Sequence, residues 1–331
     1  KGCDFMRPGK LSPELMKKFI FSQLGSKRKE VLVPAKMGED SSIVDFGKYV
    51  CVLSTDPITG AAKDIGKLAV HISCNDIAAN GAEPIGVMMT IMFPDGTTES
   101  HIEDVTRQIH EAALEVNVEV LGGHTEITNA VTRTVISATS IGMALKDQYI
   151  TSSGAKPGND IIFTKRAALE GTAIIAADFE DDLSKKMSPK EIENAKSLMK
   201  YISVIPEGKI GAKYGATAMH DATEGGILGA VYELAHASNV GVKLWEDKIP
   251  FYDETLKICE IMSLDPFKLI AAGSMLITAT DGDKIVDALD NEGIEASIIG
   301  KITDEGFNII HKDGSSSTFE PPERDELWKI L

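Results

Sequence analysis

Residues 84–94, PIGVMMTIMFP, are a nearly continuous apolar run closed at both ends by proline. A run of this length reads as a strand buried on both faces, which commits the chain to a sheet covered by other layers. Its neighbours supply those layers. VLVP, SSIVDFG and YVCVLSTDPI, between 31 and 58, are β-branched strands broken by glycine. DIGKLAVHISCNDIAANGA (64–82) places apolar residues near helical spacing with Gly81 as a stop, and 99–117 is an amphipathic helix through Ile102, Val105, Ile109, Ala112 and Val116. Two further strands flank a turn at LGGHTEIT, the second ending in TRTVISATSIGMAL. Ahead of all these, PELMKKFIFSQL (13–24) predicts a short amphipathic helix with Pro13 in its first turn.

At 331 residues the chain exceeds one typical domain. The polar stretch 146–157, with Ser152, Ser153, Gly154 and Pro157, marks the boundary. The expected division is an N-terminal helical segment (1–30), a first domain (31–150) and a second domain (151–331). The second domain reads as strand 160–164, helix 169–178, helix 189–200, the HDATEGG turn, helix 226–238, strand 240–245, helix 252–262, strand 274–279, helix 281–291 and strand 294–302. Strands clustered with helices, without regular βαβ alternation, predict α+β domains.

Charge narrows the partners. Thirty-four Lys and Arg against 50 Asp and Glu give a formal −16, which opposes a nucleic-acid or anionic-membrane partner. It does not oppose a small anion held by glycine backbone and metal ions. Cys3, Cys51, Cys74 and Cys259 are far apart with no CxxC pair, so a reducing compartment fits. The residues before Met6 read as a cloning remnant. With no signal-peptide core and no run of about 18 apolar residues, the expected location is the cytoplasm.

Four segments place acidic residues beside small or hydroxyl residues at the ends of predicted elements: Gly38–Ser42 (GEDSS), Ser54-Thr55-Asp56, Asn75-Asp76 and His220–Gly226 (HDATEGG). Hard oxygen ligands on separate elements suit magnesium, and each segment taken alone also suits a helix cap or turn. Gly122-Gly123 and Gly225-Gly226 let backbone amides approach a phosphate closely, the second pair at a helix start. No GxxxxGK[ST] and no GxGxxG is present, so a bound nucleotide requires another design.

These segments, together with KPGNDIIFT (156–164), resemble the aminoimidazole ribonucleotide (AIR) synthase superfamily, and within it the HypE-like hydrogenase-maturation branch. The resemblance runs in order over roughly 38–300. It implies a two-domain PurM-like α+β fold with a C-terminal α/β sandwich, a homodimer whose N-terminal sheets join into a β-barrel, and ATP with Mg2+ between domains. The implied chemistry is ATP-dependent phosphorylation of an oxygen in an amide, carboxylate or related group. By correspondence, Asp40, Asp56, Asp76 and Asp221 are metal ligands, while Gly122, Gly123, Thr125, Thr223, Gly225 and Gly226 contact ATP.

Two departures bear on function. The family's GGDT reads Gly122-Gly123-His124-Thr125 here, so His124 either ligates the metal, hydrogen-bonds a phosphate, or leaves the role to Glu126. The HypE-like branch carries its substrate on a C-terminal cysteine, whereas this sequence reads PPERDELWKIL at its end and its last cysteine is Cys259. The readings left are an ATP-dependent enzyme with an unidentified acceptor, a nucleotide-binding scaffold, and a hydrogenase-maturation factor acting with a partner protein.

Overall fold

A computed structural model describes residues 9–59 and 63–331; Cys3 lies outside them. Helical structure near the start is a turn, α1 (Pro13–Leu15), continued by a wider-wound turn to Ile20, shorter than the expected 13–24. The first sheet takes β1 (Val31–Val33), β2 (Ser42–Phe46), β3 (Tyr49–Ile58), β4 (Glu83–Pro94), β5 (Glu119–Thr128) and β6 (Val135–Leu145) in the order β1-β2-β3-β6-β4-β5. Helices α2 (Ile65–Ala79) and α3 (Glu99–Glu115) cover one face. The β4–β5 pair is parallel and the remaining pairs are antiparallel.

The remaining helices are α4 (Leu169–Asp178), α5 (Glu180–Leu183), α6 (Pro189–Lys196), α7 (Ile205–Tyr214), α8 (Gly226–Ser238), α9 (Asp253–Met262) and α10 (Gly282–Asp290). They pack with β7 (Asp160–Thr164), β8 (Ala216–Asp221), β9 (Gly241–Trp245), β10 (Met275–Ala279), β11 (Ala296–Thr303), β12 (Phe307–Ile310) and β13 (Ser316–Thr318). These strands form a second sheet ordered β13-β12-β9-β11-β7-β10-β8, mixed because β12 runs parallel to β9. The fold is thus α+β with two mixed sheets.

Within one chain the first sheet is open among the described residues, and the expected barrel would need the sheet of a second copy. Two expectations are corrected. Strand β4 is buried on one face only: Val87 and Phe93 point inward at 0% exposure while Ile85 (47%) and Met88 (45%) face out. Apolar residues on both faces hid the period-two alternation, because the outward face has no cover within one chain. Gly122-Gly123 is not a turn. Both lie inside β5, an edge strand exposed along nearly all its length, where they pair with Met88 and Met89 next to a register shift. A Cβ on Gly123 would meet the Met89 carbonyl oxygen at 1.8 Å, so the glycine serves strand packing.

Helix α2 joins the two halves. All its residues except Lys67 are buried, and they feed an apolar cluster running from Phe93 and Val105 through Leu68 to Leu169, Ile175 and Ile202. Each such side chain contributes roughly 1.5–3 kcal/mol of burial. Asn75, fully buried, donates from Nδ2 to Ile202 O (2.8 Å) and accepts on Oδ1 from Val204 N (2.9 Å). One turn on, Gly208 of α7 lies so close that a Cβ there would fall 2.1 Å from the Ala78 carbonyl oxygen. Helix α7 and strand β8 went unread in the sequence.

Candidate functional site

A cavity of about 540 Å3 opens where α2 and the end of β3 meet the second half of the chain. Strand β3 gives it Ser54–Ile58, α2 gives Leu68, Ile72 and Asp76, and the loop before β2 gives Gly38–Asp40. The end of β8 contributes His220 and Asp221 and the turn after it Thr223 and Glu224; α4 adds Glu170 and Ile174. Gly9, Lys10, Asp325, Leu327 and Trp328 complete the wall.

Asp40, Asp56, Asp76, Asp221 and Thr223 therefore share one cavity. Gly225 and Gly226 lie directly behind it with positive φ (88° and 62°) and open α8. A Cβ on Gly226 would strike the carbonyls of Phe267 and Leu269 at 2.7 Å, so only glycine fits this turn. Gly122, Gly123, His124 and Thr125 are elsewhere, on exposed β5. There His124 Nε2 lies 3.3 Å from Glu126 Oε2.

The carboxylates of Asp40, Asp76 and Asp221 are crowded and buried, and Asp56 is half-buried. Asp76 is 6% exposed and Asp221 1%. Ser54 Oγ donates to Asp76 Oδ2 at short range, and Asp221 Oδ2 is buried without a donor. Burial foremost, then Asp56 and Asp221, pushes Asp76 far above the usual carboxylate range. Burial followed by Asp40 raises Asp221 likewise. Asp40 is raised by burial despite His220, whose Nδ1 is 2.5 Å from Asp40 Oδ1 and whose Nε2 is 3.2 Å from Glu233 Oε2. Glu233 in turn meets Lys10 Nζ at 2.6 Å and, held by His220 and Lys10 against its burial, falls to about 2.

This donor set fits magnesium. Four hard carboxylates repel one another in a low-dielectric pocket, and Asp221 holds an oxygen with no donor; a divalent cation relieves both. No three His, Cys, Asp or Glu side chains among the described residues are close enough to form a metal site alone. Water and phosphate oxygens would fill the remaining positions.

Two family models cover most of the chain: AIR synthase related protein, N-terminal domain, over 38–144, and AIR synthase related protein, C-terminal domain, over 156–312. The chain belongs to the AIR synthase related family. A Methanocaldococcus jannaschii protein named for hydrogenase expression/formation is 30% identical over 91% of this chain and 90% of its own length. The carbamoyl dehydratase HypE of Cupriavidus necator is 25% identical over 78% of this chain and 75% of its own. Among solved structures, a HypE–HypF complex superimposes with TM-score 0.76 at 22% identity, covering 93% of this chain and 99% of that one. HypE in complex with ATP gives 0.71 at 18% identity, covering 95% of each chain.

Five cavity residues of this AIR synthase related protein escaped sequence reasoning: Lys10, Glu170, Glu233, Asp325 and Trp328. A carboxylate inside the apolar helix LEGTAIIAAD was a readable signal for Glu170. The others come from distant parts of the chain and carry no local pattern. Asp325 Oδ2 accepts from Gly225 N at 2.6 Å, and Trp328 Nε1 donates to Glu224 Oε1 at 2.9 Å, closing that side of the cavity. Cys74 and Cys259 are buried, their thiols pushed up to about 12, and Cys51 is half-buried; none lines the cavity.

Proposed function

We propose that this protein binds ATP with magnesium in the cavity and uses it to phosphorylate, and so activate, an oxygen of a small substrate or carrier. One observation carries the reading: four aspartates from four separate segments meet in one cavity beside a glycine-opened helix start. Family membership and the likeness to an ATP-bound HypE support it. Asp40, Asp56, Asp76 and Asp221 would hold the metal, which supplies charge neutralisation of the phosphates when bound. Thr223 and the amides of the Gly225-Gly226 turn would orient the phosphate chain. Leu68, Ile72, Ile174 and Leu327 give the cavity an apolar wall. The likeness to HypE and to the HypE–HypF complex favours a hydrogenase-maturation role, with a carbamoyl-type acceptor and a maturation-partner protein.

Titration calorimetry with a non-hydrolysable ATP analogue is expected to show magnesium-dependent binding. Saturation at about 100 times Kd is worth about 2.7 kcal/mol and should raise Tm by several degrees. No binding with or without magnesium sinks the reading.

We further propose that the chain works as a homodimer through the outward face of the first sheet, where Ile85, Met88, Leu121 and Met143 are each more than 40% exposed beside the unpaired edge of β5. Light scattering should give the mass of two chains. Met88→Lys should shift it toward one, and a wild-type monomer removes the proposal.

A further inference from the structure

Glu170 lies outside every acidic motif. It stands in the first turn of α4, whose other inward side chains are the apolar Leu169, Ala173, Ile174, Ile175 and Ala176 and the hydroxyl of Thr172, which is hydrogen-bonded to Ala168 O and Thr255 Oγ1. The residue is 3% exposed, yet its side chain lines the cavity. Its Oε2 accepts a hydrogen bond from Ala272 N at 3.3 Å. Its charged neighbours are acids: Asp325 from the C-terminal turn, Asp221 at the end of β8 and Glu224 beyond it. The cationic groups of the cavity wall, Lys10 and His220, are engaged with Glu233 and Asp40. Burial first, then Asp325, pushes Glu170 to about 8. A buried carboxyl in a cavity wall shared with Ile174, Ile270 and Leu327 weakens the fold, because an apolar or amide side chain would sit there at lower cost.

We propose that Glu170 is the general base of the phosphoryl transfer, the group that takes the acceptor's proton. The proposal rests on the ATP-dependent reading above. In the step, the acceptor oxygen bonds to the γ-phosphorus, the bond from that phosphorus to the β,γ-bridging oxygen breaks, and ADP departs. The acceptor's O–H or N–H proton passes to the ionised Glu170 carboxylate, leaving a neutral acid. A base tuned near the working pH accepts that proton far better than an ordinary carboxylate. Its single backbone donor and buried helix fix its position.

The test uses the full chain, with water as the acceptor. Glu170→Gln keeps the volume and can still accept from Ala272 N, but it cannot take a proton. Affinity for a magnesium-bound ATP analogue should stay within about twofold, while phosphate release from magnesium–ATP falls about 100-fold. The native state binds the Glu170 proton more tightly than the unfolded chain does. Stability is therefore lost as pH rises from the ordinary carboxylate range to about 8. The Gln variant escapes that loss, and its Tm at pH 8 should rise by several degrees. A purely structural role predicts the reverse: lower Tm, with binding and turnover falling together. That result, or a Gln variant releasing phosphate at the wild-type rate, or a wild type that binds ATP without releasing phosphate, overturns the assignment of Glu170 alone. A wild type that binds no ATP removes it together with the reading beneath it.

Discussion

Asp76→Asn is expected to weaken magnesium-dependent ATP binding strongly and to yield a protein more stable than the wild type. Asp76 is buried among Asp56, Asp221 and Asp40, and its proton is held more tightly in the folded state than in the unfolded one. The destabilisation is absent well below the ordinary carboxylate range and grows as pH rises toward neutrality and beyond. Asparagine keeps the shape, accepts from Ser54 as Asp76 does, and removes one of four mutually repelling charges. Without magnesium, Tm at neutral pH should therefore rise by several degrees. The cation then has one fewer anionic oxygen, so phosphate release should fall by about 10²–10³. Thermal melts with and without magnesium–ATP separate the two effects. If the variant keeps the wild-type response to magnesium–ATP, the aspartates are not the metal site.

Asn75→Ala, one residue away, should do the opposite. It strips the Ile202 carbonyl of its donor and the Val204 amide of its acceptor, both in the interior. A buried polar group left unsatisfied costs about 1–3 kcal/mol, so the pair should cost about 2–6 kcal/mol. Urea unfolding would show this as a lower midpoint. Asn75→Asp should cost at least as much, since it buries a carboxylate oxygen against the Ile202 carbonyl oxygen in place of the donor. A loss under about 0.5 kcal/mol for alanine would show that Asn75 does not tie the two halves.

These neighbours show what could be read without coordinates. Asn75-Asp76 appears in the sequence as one motif of oxygen ligands, and an isolated motif does not reveal that the two side chains leave the helix in different directions. Asp76 lines the cavity; Asn75 is a fastener. The helices at 169–178 and 226–238 and the strand at 160–164 were legible to the residue because their apolar spacing and flanking glycines agree. Helix α7 was not, since Pro206, Gly208 and Gly211 break the expected propensity while packing demands small residues there. The placement of Gly122–Thr125 was misjudged for a related reason. A glycine pair marks tight turns and close strand packing equally well, and only the partner strand decides. Asp325 and Trp328 come from the far end of the sequence to meet Glu170, so although a carboxylate in an apolar helix is a visible signal, nothing local announces the wall they share.

The close approach of Gly208 to Ala78 has a mechanical meaning. With backbone against backbone and no side chain between, the joint has no compressible padding, and sliding along it would drive main-chain atoms into one another. It can act only as a pivot. Any breathing of the cavity would then be a rocking motion, smallest at this hinge and largest at the far rim, where Lys10 and Trp328 both reach Glu224. A motion of that kind would break the hydrogen bonds of Lys10 and Trp328 to Glu224 before it disturbed the pivot.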